Sequence, residues 1–159
     1  MFKQLCEKDL PLIRNWRNEE KVRRAMFTGH VISEQEHVSW WQRVKNDKTQ
    51  QWLIYFFQEQ EVGVVYFTDI DQDEMSWGFY LANDIASKKQ QINIWETLEE
   101  KAIDYSFMTL NAKTLIAKVF AFNKPVIKMH QRFGFETIGF EQREKTGKME
   151  QVLVMSLSQ

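Results

Sequence analysis

Asn123-Lys124-Pro125-Val126-Ile127-Lys128-Met129-His130-Gln131-Arg132-Phe133-Gly134-Phe135 is the stretch whose reading decides the fold. Pro125 falls near a first helical position, where its missing N–H is harmless. Gly134 supplies the left-handed residue on which helices commonly end. Val126, Met129 and Phe133 give the short helix between them an apolar stripe. Upstream, Thr114-Leu115-Ile116-Ala117-Lys118-Val119-Phe120 has the β-branched, apolar character of a strand. Downstream, two further strands are expected around residues 135–141 and 150–157.

Working back toward the N-terminus, Ile94, Leu98, Ala102, Tyr105 and Ser106 share one face of a helix running from about Ile94 to Met108, with Asn93 as its N-cap and Glu96 in support. Met75 to Leu81 reads as a strand. Trp52-Leu53-Ile54-Tyr55-Phe56-Phe57 and Val62-Gly63-Val64-Val65-Tyr66-Phe67 read as a hairpin joined through residues 58–61. Ser33-Glu34-Gln35-Glu36 has capping-box spacing ahead of a helix bearing Val38, Trp41 and Val44. Leu10, Leu12, Ile13 and Trp16 predict a first helix ending near Asn18, behind a short strand at residues 2–6.

Composition narrows the class. The 159 residues carry 21 basic and 22 acidic side chains, so no general field draws the chain to nucleic acid or anionic membrane. One cysteine, Cys6, excludes an intrachain disulfide framework. No run approaches the ~18 apolar residues of a membrane span, and the N-terminus lacks the form of a signal peptide. The expectation is one soluble, cytoplasmic domain over residues 1–159, working on a small molecule without nucleic acid or membrane partners. Asp69, Asp71, Asp73 and Glu74 lack the glycine and terminal glutamate of a calcium loop, and the three histidines are dispersed, so no metal is expected. The sequence leaves the oligomeric state open.

The register of Asn123, His130, Gly134 and Phe135 resembles the C-terminal half of the GNAT acetyltransferase family. There an asparagine opens the helix, a tyrosine or histidine follows, and a glycine-aromatic pair closes it. Asn15-Trp16-Arg17-Asn18, Val22-Arg23-Arg24-Ala25-Met26-Phe27, Ile32-Ser33 with His37 and Trp40-Trp41, and Trp77-Gly78-Phe79-Tyr80-Leu81 extend the likeness over nearly the whole chain. They resemble a branch that acetylates the 4-amino group of UDP-linked 4-amino-4,6-dideoxy sugars in pseudaminic acid biosynthesis. The resemblance implies a mixed α+β (α/β mixed) GNAT fold: a twisted mixed sheet of about seven strands flanked by about four helices, its fourth and fifth strands splayed apart. It also implies acetyl-CoA as co-substrate, held in that splay.

Carried over residue by residue, the resemblance makes His130 the general acid at the CoA sulfur. Phe79, Tyr80 and Leu81 would line the cofactor along the strand, with the main-chain amide of Phe79 or Tyr80 facing the thioester carbonyl. Lys89, Gln90, Gln91, Asn93 and Ile94 would meet it at the start of the central helix, and Asn123 and Lys128 on the last one. Arg17, Met26, Phe27, His37 and Trp40 would bind the acceptor. The chain departs from the family in one place: the glycine-rich phosphate loop is replaced by Lys88-Lys89-Gln90-Gln91-Ile92-Asn93-Ile94-Trp95, with Asn93 and Trp95 where glycines are expected. Lys118 stands where related enzymes can present a glutamate base; the substitute readings are Asp69, Asp71 or Glu74 acting through water, or no dedicated base at all where the sugar amine is already partly neutral near pH 7.

Bland readings stand beside these. Outside the family register His130 is a partly exposed surface histidine, His37 part of a helix cap, and Lys88-Lys89 a solvated pair. Two rival functions also stand. One is a GNAT enzyme acting on a protein N-terminus or another small amine; the other is a non-catalytic GNAT-like binding domain that has lost its CoA loop.

Overall fold

Two strands that begin as a parallel pair and then part company organise the molecule. The computed structural model describes residues 1–84 and 87–159. Its elements in chain order are β1 (Phe2–Gln4), a 3-10 turn (Glu7–Asp9), α1 (Leu10–Arg17), α2 (Glu20–Ala25), α3 (Glu34–Val44), β2 (Gln51–Phe57), β3 (Gln60–Thr68), β4 (Glu74–Leu81), α4 (Lys88–Met108), β5 (Thr114–Phe120), α5 (Lys124–Arg132), β6 (Glu136–Lys145) and β7 (Lys148–Ser158). The strands form one seven-stranded sheet in the order β1-β2-β3-β4-β5-β7-β6.

Parallel pairing of β4 with β5 covers only Glu74↔Thr114, Met75↔Leu115 and Ser76↔Ile116. Beyond it β4 stays paired with β3 to Leu81, and β5 stays paired with β7 to Phe120. Each strand follows its other neighbour, so a wedge opens between them, as expected for splayed fourth and fifth strands.

Strand alternation assigns the faces. Met75 and Trp77 of β4 pack with Ile94, Leu98 and Ala102 of α4 and Ile127 of α5, with Phe79 and Leu81 half-buried beside them. The opposite face sends Tyr80 into a second cluster with Leu10, Ile13 and Trp16 of α1 and Val22 of α2. The wedge therefore runs between an α4–α5 layer and an α1–α3 layer.

Three local expectations are corrected. The central helix starts at Lys88, not Ile94, and its N-cap is Ser87: Ser87 Oγ accepts from Gln90 N at 3.3 Å while Gln90 Oε1 accepts from Ser87 N at 3.4 Å. A complete Ser-x-x-Gln capping box outcompetes Asn93, which lies exposed inside the helix. The Ser33 box is half-made. Ser33 Oγ accepts from Glu36 N, but the Glu36 carboxylate turns to His30 Nε2 at 2.7 Å. Helix α2 has only Val22 buried and no apolar period to announce it, so the described residues hold five α-helices rather than about four. At the far end Gly134, with φ of +97°, stops α5, and Phe135 N donates to the His130 carbonyl at 3.1 Å.

Candidate active site

Helix α5 delivers His130 to the α4 side of the wedge, where it is buried at 3% exposure. Its ring lies 5.4 Å from Trp77, 6.4 Å from Phe79 and 5.1 Å from Phe135, centroid to centroid. Its Nδ1 is 2.5 Å from Oε1 of Glu99, a fully buried residue of α4 whose Oε2 has no partner. The surface-histidine reading is thereby overturned. Sequence reasoning missed Glu99, although a signal existed: a carboxylate next to Leu98 and one turn before Ala102 interrupts an otherwise apolar stripe.

Along the wedge, Phe79 and Leu81 face α4, but the Tyr80 side chain goes to the other side of the sheet. Burial pushes the Tyr80 phenol well above its ordinary range, so it stays protonated. Lys89 and Gln90 are exposed in the first turn of α4. Gln91 Nε2 donates to the Asn83 carbonyl at 2.6 Å and Asn83 Nδ2 to Glu19 Oε2 at 2.6 Å, tying this turn to the start of α2. Ile94, expected to meet the cofactor, is buried in the core with Leu98. Asn123 caps α5 through position alone, without a side-chain cap bond, and Lys128 is exposed. The Trp95 indole leans on Phe79 with centroids 5.8 Å apart, and its buried Nε1 has no partner, so packing alone holds it at the wedge.

Across the sheet, Arg17, Met26, Thr28, His37, Trp40, Trp52 and Tyr80 help line a pocket of about 340 Å³. Arg17 is 5% exposed. Its Nη2 donates to both oxygens of Thr28, while Nη1 is buried with no partner. His37 stacks on Trp40 at 5.2 Å and 7°, and its Nδ1 is likewise unpartnered. Burial, with Arg14 and Arg17 nearby, lowers the His37 pKa from 6.5 to about 4, so the ring is neutral near pH 7. Four of the five expected acceptor residues therefore meet in one cavity. Phe27 does not join them. It sits edge-on to Phe120 at 5.1 Å with the Arg143 guanidinium 4.0 Å above its ring, because the backbone after α2 turns it toward β5 and β6. Trp52 and the Tyr80 phenol were missed; strand residues of a core-like run give no sign of lining a pocket.

The base substitutes are corrected as well. Asp69, Asp71 and Glu74 lie in the β3–β4 turn and at the start of β4, where β4 and β5 are still paired, away from the splay. Lys118 Nζ is held by Glu141 Oε1 at 2.9 Å. Among the described residues no group of His, Cys, Asp and Glu is arranged to hold a metal, and no helix is long and apolar enough to cross a membrane.

A strand pair splayed at a fixed point, with a histidine-bearing helix after the second strand, defines an acyltransferase scaffold of the GNAT type. Residues 1–136 match the family model described as an acetyltransferase (GNAT) domain, and the chain belongs to that family. Its co-substrate is acetyl-CoA. Among its relatives is acetyltransferase PseH of Campylobacter jejuni subsp. jejuni serotype O:23/36 (strain 81-176), 28% identical over 134 residues, covering 84% of this chain and 81% of that protein. In structure it is similar to a spermidine N-acetyltransferase from Vibrio cholerae in complex with CoA and spermine, with a TM-score of 0.87 and 21% identity, covering 100% of this chain and 95% of that one. It is also similar to the crystal structure of Campylobacter jejuni N-acetyltransferase PseH, with a TM-score of 0.72 and 21% identity, covering 100% and 97%.

The residues present fit the pantetheine arm at the wedge: beyond Ser76 the β5-facing edge of β4 has lost its parallel partner, leaving main-chain groups free to bond an extended ligand. The phosphate end is different in kind. Lys88 and Lys89 stand exposed in the first helical turn, but no glycine lets a ligand approach the backbone closely.

Proposed function

We propose that residues 1–159 act as one cytoplasmic N-acetyltransferase domain that moves the acetyl group of acetyl-CoA to the amine of a nucleotide-linked amino sugar, directly and without a covalent enzyme intermediate. The observation that carries this is Arg17. A buried guanidinium with one unpartnered nitrogen, in a pocket walled by Trp40, Trp52, Met26 and Tyr80, suits an anionic ligand that also offers flat or apolar surface. A sugar nucleotide has both, in its diphosphate and in its base and deoxysugar. A polyamine offers apolar methylene segments but is cationic, so it lacks the anionic group that Arg17 would bind. Among the described lining residues Glu36 is the one carboxylate, and it is bound to His30.

Acetyl-CoA supplies an activated acyl group. The chain's own residues must align the amine, stabilise the oxyanion and return a proton to the leaving sulfur. The main-chain amide of Phe79 or Tyr80, on the free edge of β4, serves the carbonyl oxygen. His130 gives the proton to sulfur; a thiolate is already a fair leaving group, so loss of His130 slows turnover rather than abolishing it. Cys6 takes no part: its Sγ donates to Asp9 Oδ2 at 3.1 Å, beside the 3-10 turn. The test is CoA release from acetyl-CoA with a UDP-linked 4-amino-4,6-dideoxy sugar, with spermidine and with a peptide amine in parallel. The sugar nucleotide is expected to drive release, and release driven only by one of the other two would overturn the reading.

A further inference from the structure

Glu99 is hard to explain as packing. It has no solvent exposure, it lies on the face of α4 that otherwise buries Leu98 and Ala102, and one of its two oxygens is unpartnered. Burying a carboxylate is expensive, and replacing a buried charged pair as a whole by apolar residues of similar volume is often neutral or better for stability. Its one bond goes to His130 Nδ1 at 2.5 Å. Trp77, Phe79 and Phe135 surround the ring and leave it little room to turn.

We infer that Glu99 is a positioning residue for acetyl transfer: it accepts a hydrogen bond from Nδ1–H of His130, fixes the ring, and makes Nε2 the nitrogen that exchanges a proton at the wedge. The inference rests on the general-acid reading of His130 given above. Hydrogen bonding at one imidazole nitrogen sets the role of the other. In the transfer, the amine nitrogen bonds to the acetyl carbon and the carbon–sulfur bond breaks. The proton shed by the amine ends on sulfur by way of Nε2, while the other proton stays on Nδ1, hydrogen-bonded to Glu99, throughout.

Steady-state kinetics of Glu99→Leu, Glu99→Gln, His130→Gln and the double variant Glu99→Leu/His130→Gln test it, with thermal melts alongside. His130→Gln is expected to lower kcat roughly 10- to 100-fold with both KM values unchanged. Glu99→Leu leaves the buried Nδ1–H of His130 without an acceptor, so it is expected to lower Tm as well as to lower kcat about tenfold or more, and Glu99→Gln, which retains an acceptor oxygen, to recover most of both losses. The double variant is expected to be no slower than His130→Gln, since Glu99 acts only through the ring. Wild-type kcat in Glu99→Leu, or its full loss repeated on top of His130→Gln, would overturn the role of Glu99 while leaving His130 in place. Wild-type kcat in His130→Gln would instead remove the general-acid reading itself, and this inference with it. Imidazole nitrogen NMR of the unaltered protein gives a readout independent of any variant's folding: a proton on His130 Nδ1 supports the inference, and an Nε2–H neutral tautomer overturns it.

Discussion

Arg17 is bound on one side only: Thr28 takes Nη2 through its carbonyl and, at 3.0 Å, its hydroxyl oxygen, while Nη1 is left buried and bare beside the aromatic wall of the pocket. Thr28 fixes the guanidinium plane, so the free nitrogen is preorganised for an incoming oxygen. Arg17→Met is expected to raise KM for a nucleotide amino sugar by roughly 10- to 100-fold, the worth of a charge-assisted hydrogen bond of about 1.5–3 kcal/mol, with a smaller effect on kcat. Arg17→Lys is expected to recover only part of this, because an ammonium cannot hold Thr28 and a ligand in the same fork. Unchanged KM in both variants would remove Arg17 from the acceptor site.

His37 makes the fold acid-sensitive in a defined window. Its pKa is about 4 in the folded protein against an ordinary 6.5. Between these values the unfolded chain takes up a proton that the folded chain refuses. Stability is therefore expected to be flat above pH 6.5 and to fall by roughly 2–3 kcal/mol on acidification to pH 4 from this group alone. Urea unfolding of wild type and His37→Gln at several pH values checks it: the stability of wild type relative to the variant should fall by that amount from pH 7 to pH 4. Parallel curves across the window would mean that His37 titrates normally.

Lys145, at the tip of the β6–β7 hairpin, clamps α2. Its Nζ donates to the carbonyls of Arg23 at 2.7 Å and Arg24 at 2.8 Å, and to that of Met26. Burial and Arg17 lower its pKa. A cation on the last carbonyls of a helix both caps it and answers its dipole. Lys145→Met is expected to cost about 1–2 kcal/mol, a fall in Tm of roughly 2–8 °C. Because Met26 lines the acceptor pocket, KM for the acceptor should rise while KM for acetyl-CoA holds. A loss shared equally by both substrates would argue against this clamp.

Trp95 packs on Phe79 from the α4 side, at a position where the family resemblance leads one to expect a glycine. Its indole is held only by packing on Phe79, so truncation breaks no polar contact. Trp95→Ala is expected to tighten CoA binding severalfold, read as a larger thermal shift at a fixed CoA concentration. Alanine is the better variant than glycine, since Trp95 and Asn93 both lie inside α4, where each glycine would cost ~1 kcal/mol. Weaker CoA binding in Trp95→Ala would make the indole a ligand contact instead of an obstruction.

Much of the architecture was legible in the chain. Pro125 and Gly134 bracket α5 because each acts through local backbone chemistry, and the alternating β-branched runs of β2 to β5 leave little choice of period. What escaped was set by distance. Helix α2 depends on Lys145, some 120 residues away, for the satisfaction of its last carbonyls. The Glu99–His130 bond joins residues on different helices, and nothing local marks Glu99 as more than a break in a stripe. Phe27 was placed in the pocket by the family resemblance together with Met26, but adjacent residues on an extended segment point in opposite directions, so only one of them could line it. The true start of α4 was hidden by an Asn93 cap that looked adequate alone; Ser87 with Gln90 satisfies more of the free amides.

The most direct measurement is CoA release, wild type against Arg17→Met, with a UDP-linked 4-amino-4,6-dideoxy sugar and with spermidine at matched concentrations. The expected result is a kcat/KM for the sugar nucleotide at least about tenfold above that for spermidine, with the advantage lost in Arg17→Met, in line with one charge-assisted bond. Equal or faster turnover of spermidine, unaffected or improved by Arg17→Met, would contradict an anionic acceptor.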